Sequence, residues 1–529
     1  MKCPLSWRSS ISRIGFAGAL LVYGHLPGKG AEAMPGAGAP QVLSLQDCIT
    51  TALARNFDLR INRQEPVIAA GRLDSALGAY SPTVSFGVER EHANTPTAGG
   101  TSTISNSTAT TAGVAGLLPS GATYSVAANL TASTGSQSSL ALPGTFTSYT
   151  AAQGTLALIE ITQPLLKNRR IDSARLALRQ GRLALRSAEL TAFQQAMETV
   201  AGVEQAYFDL LAARETVRVK QSALHLAEQS LADTRNRISI GSLAPLDEKD
   251  AQSLAASSRA DLLSSQQNLR QKENALIALV TDSFTEWRLA GLQPMDTLRA
   301  DPWETDYASS AGRALSNRPE LEQIHLALDQ LELDVRYKED QRHPSVDLKG
   351  SYAVQGAGAG PNSVLSQWRE TDHPYYTIGV TVSFPWSERG SRGAISAARG
   401  QAEQARLQLA QQREVILGEV DSAIVAVRSD AERITATREA RAFAEDALEA
   451  EKQKLATGTS TTFAVLQLQR NLVSAQADEI QALADYNKAL STLRLREAAT
   501  LEFWRIKFAA DPVGGGALAT NSTSSPYQP

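Results

Sequence analysis

The sequence predicts a mixed α and β membrane protein with an internal duplication. Three observations predict this fold class. The chain begins with an export signal, each half contains β-strands with one apolar and one polar face, and each half continues into exceptionally long helices. Two-faced strands of about ten residues suit a membrane barrel with a wet lumen. Helices of this length bridge a distance, which a small compact core does not require.

Residues 1–33 have the features of a signal peptide. A basic start is followed by a largely apolar stretch at 14–26, and the sequence AEA at 31–33 is a cleavage site of the A-x-A type. We therefore expect the mature chain to start at Met34. No run of 18 apolar residues exists in the chain, so the sequence excludes a bundle of transmembrane helices.

The first structural repeat is predicted at residues 34–280. It begins with helices at 44–80 and continues with barrel strands and loops at 82–163. A long helical hairpin at 170–280 completes it. The Ser-, Thr-, Gly- and Ala-rich stretches at 93–120 and 131–153 predict long surface loops between the strands.

The second repeat, residues 309–500, has the same order of elements after an equatorial linker at 281–319. A helix is predicted at 309–342, strands at 345–385 and a second long helical hairpin at 390–500. The C-terminal residues 501–529 divide into an equatorial segment and a Gly-, Ser- and Pro-rich tail, for which the composition predicts disorder.

Five stretches are β-prone, and we expect four of them to be barrel strands. They lie near residues 84–88, 122–130, 154–162, 345–354 and 375–384. A soluble β-sandwich with one solvated face explains the alternation equally well, but the export signal and the long helices favour a membrane. Four strands leave open edges that are costly in lipid, so several chains must share one barrel.

The two long helical hairpins align without a gap at an offset of 217 residues. Val203 matches Val420, and Gly241 matches Gly458. Apolar residues recur every seven positions along these helices, which is the pattern of a coiled coil. Residues 172–238 are predicted to form one near-continuous helix, roughly 100 Å long.

The matched glycines predict a reversal at the far end of each hairpin, because glycine adopts the left-handed conformation at low steric cost. We call these two turns the helical tips. A solvent-exposed turn with no further role is the simplest alternative. The candidate contact residues at the helical tips are Gly241, Ser242, Leu243, Gly458, Thr459 and Ser460.

The chain lacks the motifs of an enzyme. Its histidines are scattered without metal-binding spacing, and neither a G-x-S-x-G nor a phosphate-cradling G-x-x-x-x-G-K-S/T sequence occurs. The net charge of −4 with interspersed signs does not suggest a nucleic-acid partner. We therefore expect no enzyme, no catalytic, cofactor or metal site, and no nucleic-acid binding.

The order of these elements resembles the TolC-like outer-membrane efflux protein family. The resemblance covers about residues 42–505. Its specific segments are ALARNFDL (52–59), ITQPLL (161–166), NRISIGSLAPLDEKDAQ (236–252) and TGTSTTFAVLQLQ (457–469). Their order and duplication, rather than any single motif, carry the likeness.

The resemblance implies a homotrimer in the outer membrane of a Gram-negative-type cell. Three chains would share a 12-stranded β-barrel, four strands from each. A long α-helical coiled-coil barrel would continue it into the periplasm. The implied partners are outer-membrane lipid, a periplasmic adaptor at the helical tips and an inner-membrane pump. The implied function is passive exit for the substrates of a tripartite efflux or type I secretion system.

The family's closed entrance is only partly matched. Its best-studied members use aspartates at the positions of Ala464 and Gln467, a tyrosine at Leu455 and an arginine at Ser460. One further aspartate of that lock matches Asp247. The resemblance therefore does not imply a ring of carboxylates at the second tip of this chain.

Two other groups near the tips are candidates for lining the entrance. Leu455 and Phe463 could form an apolar constriction that excludes water, or Phe463 could simply pack between hairpins. Asp247, Glu248 and Asp250 could attract cations or an adaptor's basic residues. Alternatively, these acids complement the helix dipole.

One other class of protein remains open on the sequence. A periplasmic coiled-coil adaptor also has an export signal and a helical hairpin, although it usually has one hairpin and no long amphipathic strands. An adhesin that functions through its loops is a weaker alternative, because it would not need two matched turns.

Overall fold

The computed structural model describes residues 41–97, 101–138, 146–241, 244–290, 292–304, 306–371 and 373–507. The predicted signal peptide (1–33), Ser242 and Leu243 of the first tip, and the tail from residue 508 lie outside the described residues.

Within these ranges the chain forms eight β-strands and twelve α-helices. The strands are β1 (Gln41–Leu43), β2 (Thr83–Thr97), β3 (Thr101–Leu117), β4 (Thr123–Ser138), β5 (Phe146–Pro164), β6 (Leu292–Pro294), β7 (Ser345–Gly358) and β8 (Pro374–Ser383). The helices are α1 (Leu45–Arg55), α2 (Phe57–Asn62), α3 (Gln64–Leu77), α4 (Ser173–Ser239), α5 (Pro245–Val280), α6 (Phe284–Ala290), α7 (Tyr307–Asn317), α8 (Pro319–Gln341), α9 (Pro361–Glu370), α10 (Arg389–Ala456), α11 (Thr462–Arg496) and α12 (Thr500–Phe503).

Two helices dominate the molecule. α4 has 67 residues and α10 has 68, so each extends roughly 100 Å. Neither contains proline, and their apolar residues recur at heptad spacing, which leaves a continuous seam to pack against a partner helix. α4 pairs with α5 and α10 pairs with α11, which gives two long helical hairpins. None of the described helices combines the length and the apolar content needed to cross a bilayer.

The main sheet has six strands in the order β2-β3-β4-β5-β7-β8, and every neighbouring pair is antiparallel. The prediction of four strands per chain, with one β-prone stretch left out, is therefore wrong. All five stretches enter the sheet, and β3 adds a sixth strand that the sequence did not indicate.

The predicted surface loops account for this error. Residues 93–120 hold the end of β2 and all of β3, while 131–153 hold the end of β4 and the start of β5. Their small polar residues suggest a loop when read alone. In the sheet, β3 pairs on both sides over almost its whole length, which satisfies its backbone, and its many threonines favour an extended conformation.

One face of the sheet is apolar and open. Val84, Phe86, Ile378 and Val380 point to this face, and their side chains are 60–81% exposed. The opposite face carries residues such as Thr377 and other small polar side chains. An exposed apolar surface of this extent is costly in water, which fits the membrane environment that the export signal and the long helices favoured.

The helix between β7 and β8 covers one end of this apolar face. Val364 and Trp368 of α9 pack against Ala152 of β5 and Val354 of β7. The indole nitrogen of Trp368 donates to the carbonyl of Gly154 at 3.4 Å. A side chain at Gly154 would collide with that indole ring and with a backbone carbonyl, so the helix requires glycine beneath it.

The equatorial segments pack where the hairpins meet the N-terminal helices. β1 and β6 form a short parallel pair. At this level Glu204 of α4 is fully buried, and it accepts hydrogen bonds from Ser491, Arg494 and the indole of Trp504. Burial raises the pKa of Glu204, while the charge of Arg494 opposes this. The network attaches the C-terminal segment to both hairpins.

Candidate functional site

The helical tips are compact reversals built around the two matched glycines. Gly241 has a φ of 75° and Gly458 a φ of 76°, the left-handed region that L-residues other than glycine rarely occupy. At the second tip, the amide of Gly458 donates to the carbonyl of Leu455 at 3.2 Å, and the amide of Thr459 donates to that of Lys454 at 2.9 Å. This pair of bonds is a Schellman motif, which satisfies the last carbonyls of α10.

Side-chain hydrogen bonds cap the N-termini of the two returning helices. The hydroxyl of Thr461 accepts the amide of Ala464 at 3.3 Å and caps α11. Asp247 accepts the amide of Ala244 at 3.1 Å at the start of α5. Both hydrogen bonds are local and satisfy backbone amides at the starts of the returning helices.

Ser460 fixes the second tip to the end of α10. Its hydroxyl donates to the carboxylate of Glu451 at 2.5 Å, and Lys454 binds the same carboxylate at 3.0 Å. These two contacts hold the pKa of Glu451 below its ordinary value. The family that this sequence resembles has an arginine at the position of Ser460. Here a neutral hydroxyl ties the turn to its own helix.

The three acidic candidates of the first tip do not act as one cluster. Glu248 pairs with Arg235 at 2.9 Å and accepts a hydrogen bond from Gln252. Asp247 is occupied by the cap, whereas Asp250 is exposed and makes no ion pair with a described residue. Within the chain, therefore, two of the three acids have local structural roles.

The second-tip candidates differ in how far they are exposed. Phe463 is 58% exposed, so it does not pack between the hairpins of its own chain. Leu455 and Ala464 are half-buried, and Gln467 is exposed and hydrogen-bonds to Asn471. Of these four side chains, only Phe463 offers a large apolar surface.

A small apolar cluster joins the two tips, and the sequence reading missed it. Leu466 of α11 is 2% exposed and packs among Ala227, Ala251 and Leu254 of the first hairpin. One turn further along, Gln469 donates to Ser230 at 3.3 Å. The small residues let three helices approach closely.

A second contact between the hairpins lies farther from the tips. Asp209 of α4 binds Lys272 of α5 at 2.7 Å and Lys488 of α11 at 2.9 Å. Lys488 also binds Asp485, which binds Arg433 of α10 at 3.0 Å. This ion-pair ladder connects all four long helices. Among the described residues no group of His, Cys, Asp and Glu is arranged to hold a metal ion.

Comparison with known proteins now identifies the family. The family model described as outer membrane efflux protein matches residues 127–281 and 311–496. This chain belongs to the outer membrane efflux protein family. Membership confirms the predicted resemblance and places the chain in the outer membrane. Proteins of this family are channels and not enzymes.

Curated relatives of this outer membrane efflux protein match over parts of their length. The pyoverdine export outer membrane protein OpmQ of Pseudomonas aeruginosa is 26% identical over 314 residues, or 57% of this chain and 62% of the relative. The outer membrane protein TolC of Vibrio cholerae is 24% identical over 302 residues, or 56% of this chain and 66% of the relative. The matches thus span just under two thirds of these relatives.

Solved structures share the fold over more of the chain. The outer-membrane channel OprN has a TM-score of 0.65 at 16% identity and covers 86% of this chain and 90% of its own. The CmeC outer membrane channel of Campylobacter jejuni has a TM-score of 0.65 at 13% identity and covers 94% and 95%. These likenesses show the fold of outer-membrane channels, with strands and long helices in one chain.

Proposed function

We propose that this protein forms, with two further copies, a passive exit duct of a tripartite efflux or secretion system. The proposal rests on two features of the sheet. Its apolar face is exposed, and its end strands β2 and β8 each have an edge without a partner in the described chain. Unpaired backbone groups are costly in lipid, so β8 of one chain is expected to pair with β2 of the next.

The strand number supports closure between identical chains. With six strands, β8 runs opposite to β2, so the junction between two chains continues the antiparallel pattern. Three chains, the number that the family resemblance implies, would form a barrel of eighteen strands rather than the twelve predicted from the sequence. Barrels of 16–18 strands leave an aqueous channel, which suits passive exit.

The helical tips are the proposed docking surface for a periplasmic adaptor. Gly241, Gly458, Thr459 and Ser460 form the ends of the two hairpins, and Ser242 and Leu243 complete the set in sequence. Ile240, Leu246 and Phe463 beside them are 58–78% exposed. Apolar side chains that one chain leaves in water at the ends of rigid helices fit a protein partner.

The proposed constriction at the entrance is apolar. Phe463, together with Leu455, would narrow the duct by excluding water. Ala464 and Gln467 carry no charge that could form a carboxylate ring. Asp250, and to a lesser degree Asp247 and Glu248, would add negative charge near the opening and favour contact with basic groups of an adaptor.

Mass measurement tests the assembly. We expect the protein extracted from outer membranes to have three times the mass of the mature chain by light scattering, after subtraction of detergent. A monomer, or a protein recovered only from the soluble periplasm, would contradict the duct and favour the adaptor alternative.

Cross-linking tests the docking surface. A photoreactive residue at Ser460 should capture the adaptor in cells, whereas the same residue at exposed Ser429 in the middle of α10 should not. Equal capture at both positions would refute docking at the tips while leaving the barrel untouched.

A further inference from the structure

A basic pocket lies where the barrel meets the helices. The loop between β5 and α4 and the end of α8 enclose a cavity of about 660 Å³, a size typical of small-molecule sites. Four arginines line it: Arg169, Arg170, Arg179 and Arg336. All four are exposed, and none makes an ion pair with another described residue.

Both acidic residues at this pocket already have partners within the chain. Glu339 binds Arg399 of α10 at 2.6 Å. Asp340 accepts the backbone amide of Asn168 at 2.7 Å. Besides these acids and the four arginines, His343 is the remaining polar residue of the pocket wall. The pocket therefore presents an excess of positive charge that the chain itself does not neutralise.

The loop that carries two of the arginines is held in place. Arg175 donates to the carbonyls of Arg169 and Asn168 at 2.8 and 2.6 Å and pairs with Asp172 at 2.8 Å. Gln341 donates to the side chain of Asn168. Arg169 and Arg170 thus project from a braced turn, which lowers the entropy lost when they bind a ligand.

The pocket lies at the end of the apolar sheet face. The amide of Leu165 continues the ladder by donating to Val346 at 2.7 Å, and Leu165 and Leu166 form an apolar rim with 37% and 47% exposure. At the same end of the sheet, Phe384 and Trp386 are 66% and 97% exposed. Exposed aromatic residues at strand ends mark the boundary between lipid and water.

We propose that this pocket binds the phosphate head group of an anionic phospholipid in the periplasmic leaflet. The guanidinium groups of Arg169 and Arg170 would hold the phosphate through charge-assisted hydrogen bonds, with Arg179 and Arg336 as further positive charges. The acyl chains would follow Leu165 and Leu166 onto the apolar face of the sheet. The inference rests on the outer-membrane location and not on the duct or on adaptor docking.

Native mass spectrometry of the full-length assembled protein tests the inference. Wild-type protein incubated with phosphatidylglycerol should retain it, and with phosphatidylcholine should retain roughly tenfold less. Arg169→Gln/Arg170→Gln should lose about tenfold in retained phosphatidylglycerol. Arg169→Lys/Arg170→Lys should keep most of it. Equal retention of the two lipids by wild type would overturn the proposal whatever the variants do.

A matched control and a competitor complete the test. Arg259→Gln/Arg413→Gln changes two exposed arginines that lie on the long helices and make no ion pair with a described residue. It should bind phosphatidylglycerol like wild type, and a loss equal to that of the pocket variant would contradict the assigned site. Excess inorganic phosphate should leave the lipid bound, because it lacks the acyl chains. Full displacement would show a site for free phosphate and overturn the lipid assignment.

Discussion

At the scale of single residues, the two tip glycines have one physical role. Gly241 and Gly458 lie at positive φ, and a side chain built at either would meet no atom of the described chain. Backbone conformation rather than space therefore selects glycine at these positions. Left-handed geometry costs other L-residues roughly 1–2 kcal/mol, and it allows a helix to reverse within a few residues.

Two glycine-to-alanine substitutions test whether the left-handed backbone, rather than the loss of a glycine as such, determines the change in stability. Gly458→Ala should lower stability by about 1 kcal/mol because of the left-handed backbone. Gly418→Ala, inside α10 with open space around its Cβ, should raise stability by about 1 kcal/mol because alanine favours helix. Thermal unfolding followed by helical circular dichroism measures both. Shifts of the same sign would contradict the conformational argument.

Export tests whether the tip has a role beyond its fold. Gly458→Pro cannot adopt the positive φ, since proline fixes φ near −65°. We expect this variant to assemble its barrel but to export substrate less well than wild type. Normal transport by an assembled variant would argue against a function for the tip.

At the scale of elements, the ion-pair ladder fixes the two hairpins relative to each other. Burial alone would raise the pKa of Asp209, but the ammonium groups of Lys272 and Lys488 outweigh it and lower that pKa. The pKa of Lys488 is raised by Asp209 and Asp485, against the opposing effect of burial. Both shifts favour the charged forms of Asp209 and Lys488, so this ion pair is intact at neutral pH.

The sign of the Asp209 shift determines its pH dependence. A carboxylate whose pKa is lowered on folding contributes stability above its unfolded pKa of about 3.9 and loses it as the pH falls through the folded value. Wild type should therefore exceed Asp209→Asn by on the order of 1 kcal/mol at pH 7, and the difference should vanish in stronger acid. Thermal unfolding between pH 7 and pH 3 measures this difference.

Asp421→Asn is a suitable control for that experiment. Asp421 is exposed on α10 and makes no ion pair with a described residue. This variant should match wild type across the whole pH range. A gap between wild type and Asp209→Asn that widened in acid would mean that the ladder destabilises the folded protein.

At the scale of the whole molecule, the β3–β4 hairpin sets the width of the proposed barrel. It lies between β2 and β5, which would otherwise be neighbours. The chain leaves β2 and enters β5 at the same end of the sheet, so the hairpin can be removed without reversing either strand. In the pairing registers, the residues of β2 and β5 that point to the apolar face lie in the same rows across the sheet. The two strands could therefore pair directly with this face unchanged.

Deleting residues 98–145 and closing the gap with an Asn-Gly turn should give four strands per chain. Asn-Gly favours the tight turn that joins two antiparallel strands. Because barrel diameter grows roughly in proportion to strand number, the diameter seen by electron microscopy should fall by about one third. An unchanged diameter would refute the eighteen-stranded barrel, and retained adaptor cross-linking would show that the helical part is intact.

Local patterns in the sequence were sufficient to determine much of this protein. Heptad spacing predicted the long helices, and the matched glycines predicted two left-handed turns. All five β-prone stretches became sheet strands, although only four of them were expected in the barrel. Each of these features depends on interactions between residues close in the chain, so a short segment contains the information. The family resemblance also followed from the order of such segments.

Only the tertiary structure decided features that bring distant segments together. β3 is rich in small polar residues, and its extended conformation depends on pairing with strands on both sides. Glu204 meets Arg494 and Trp504, which lie 290 and 300 residues away, and no spacing predicts such a contact. The arginines of the basic pocket come from two separate helices and one loop. Long-range pairing and burial select these arrangements, whereas a local pattern records only what neighbouring residues prefer.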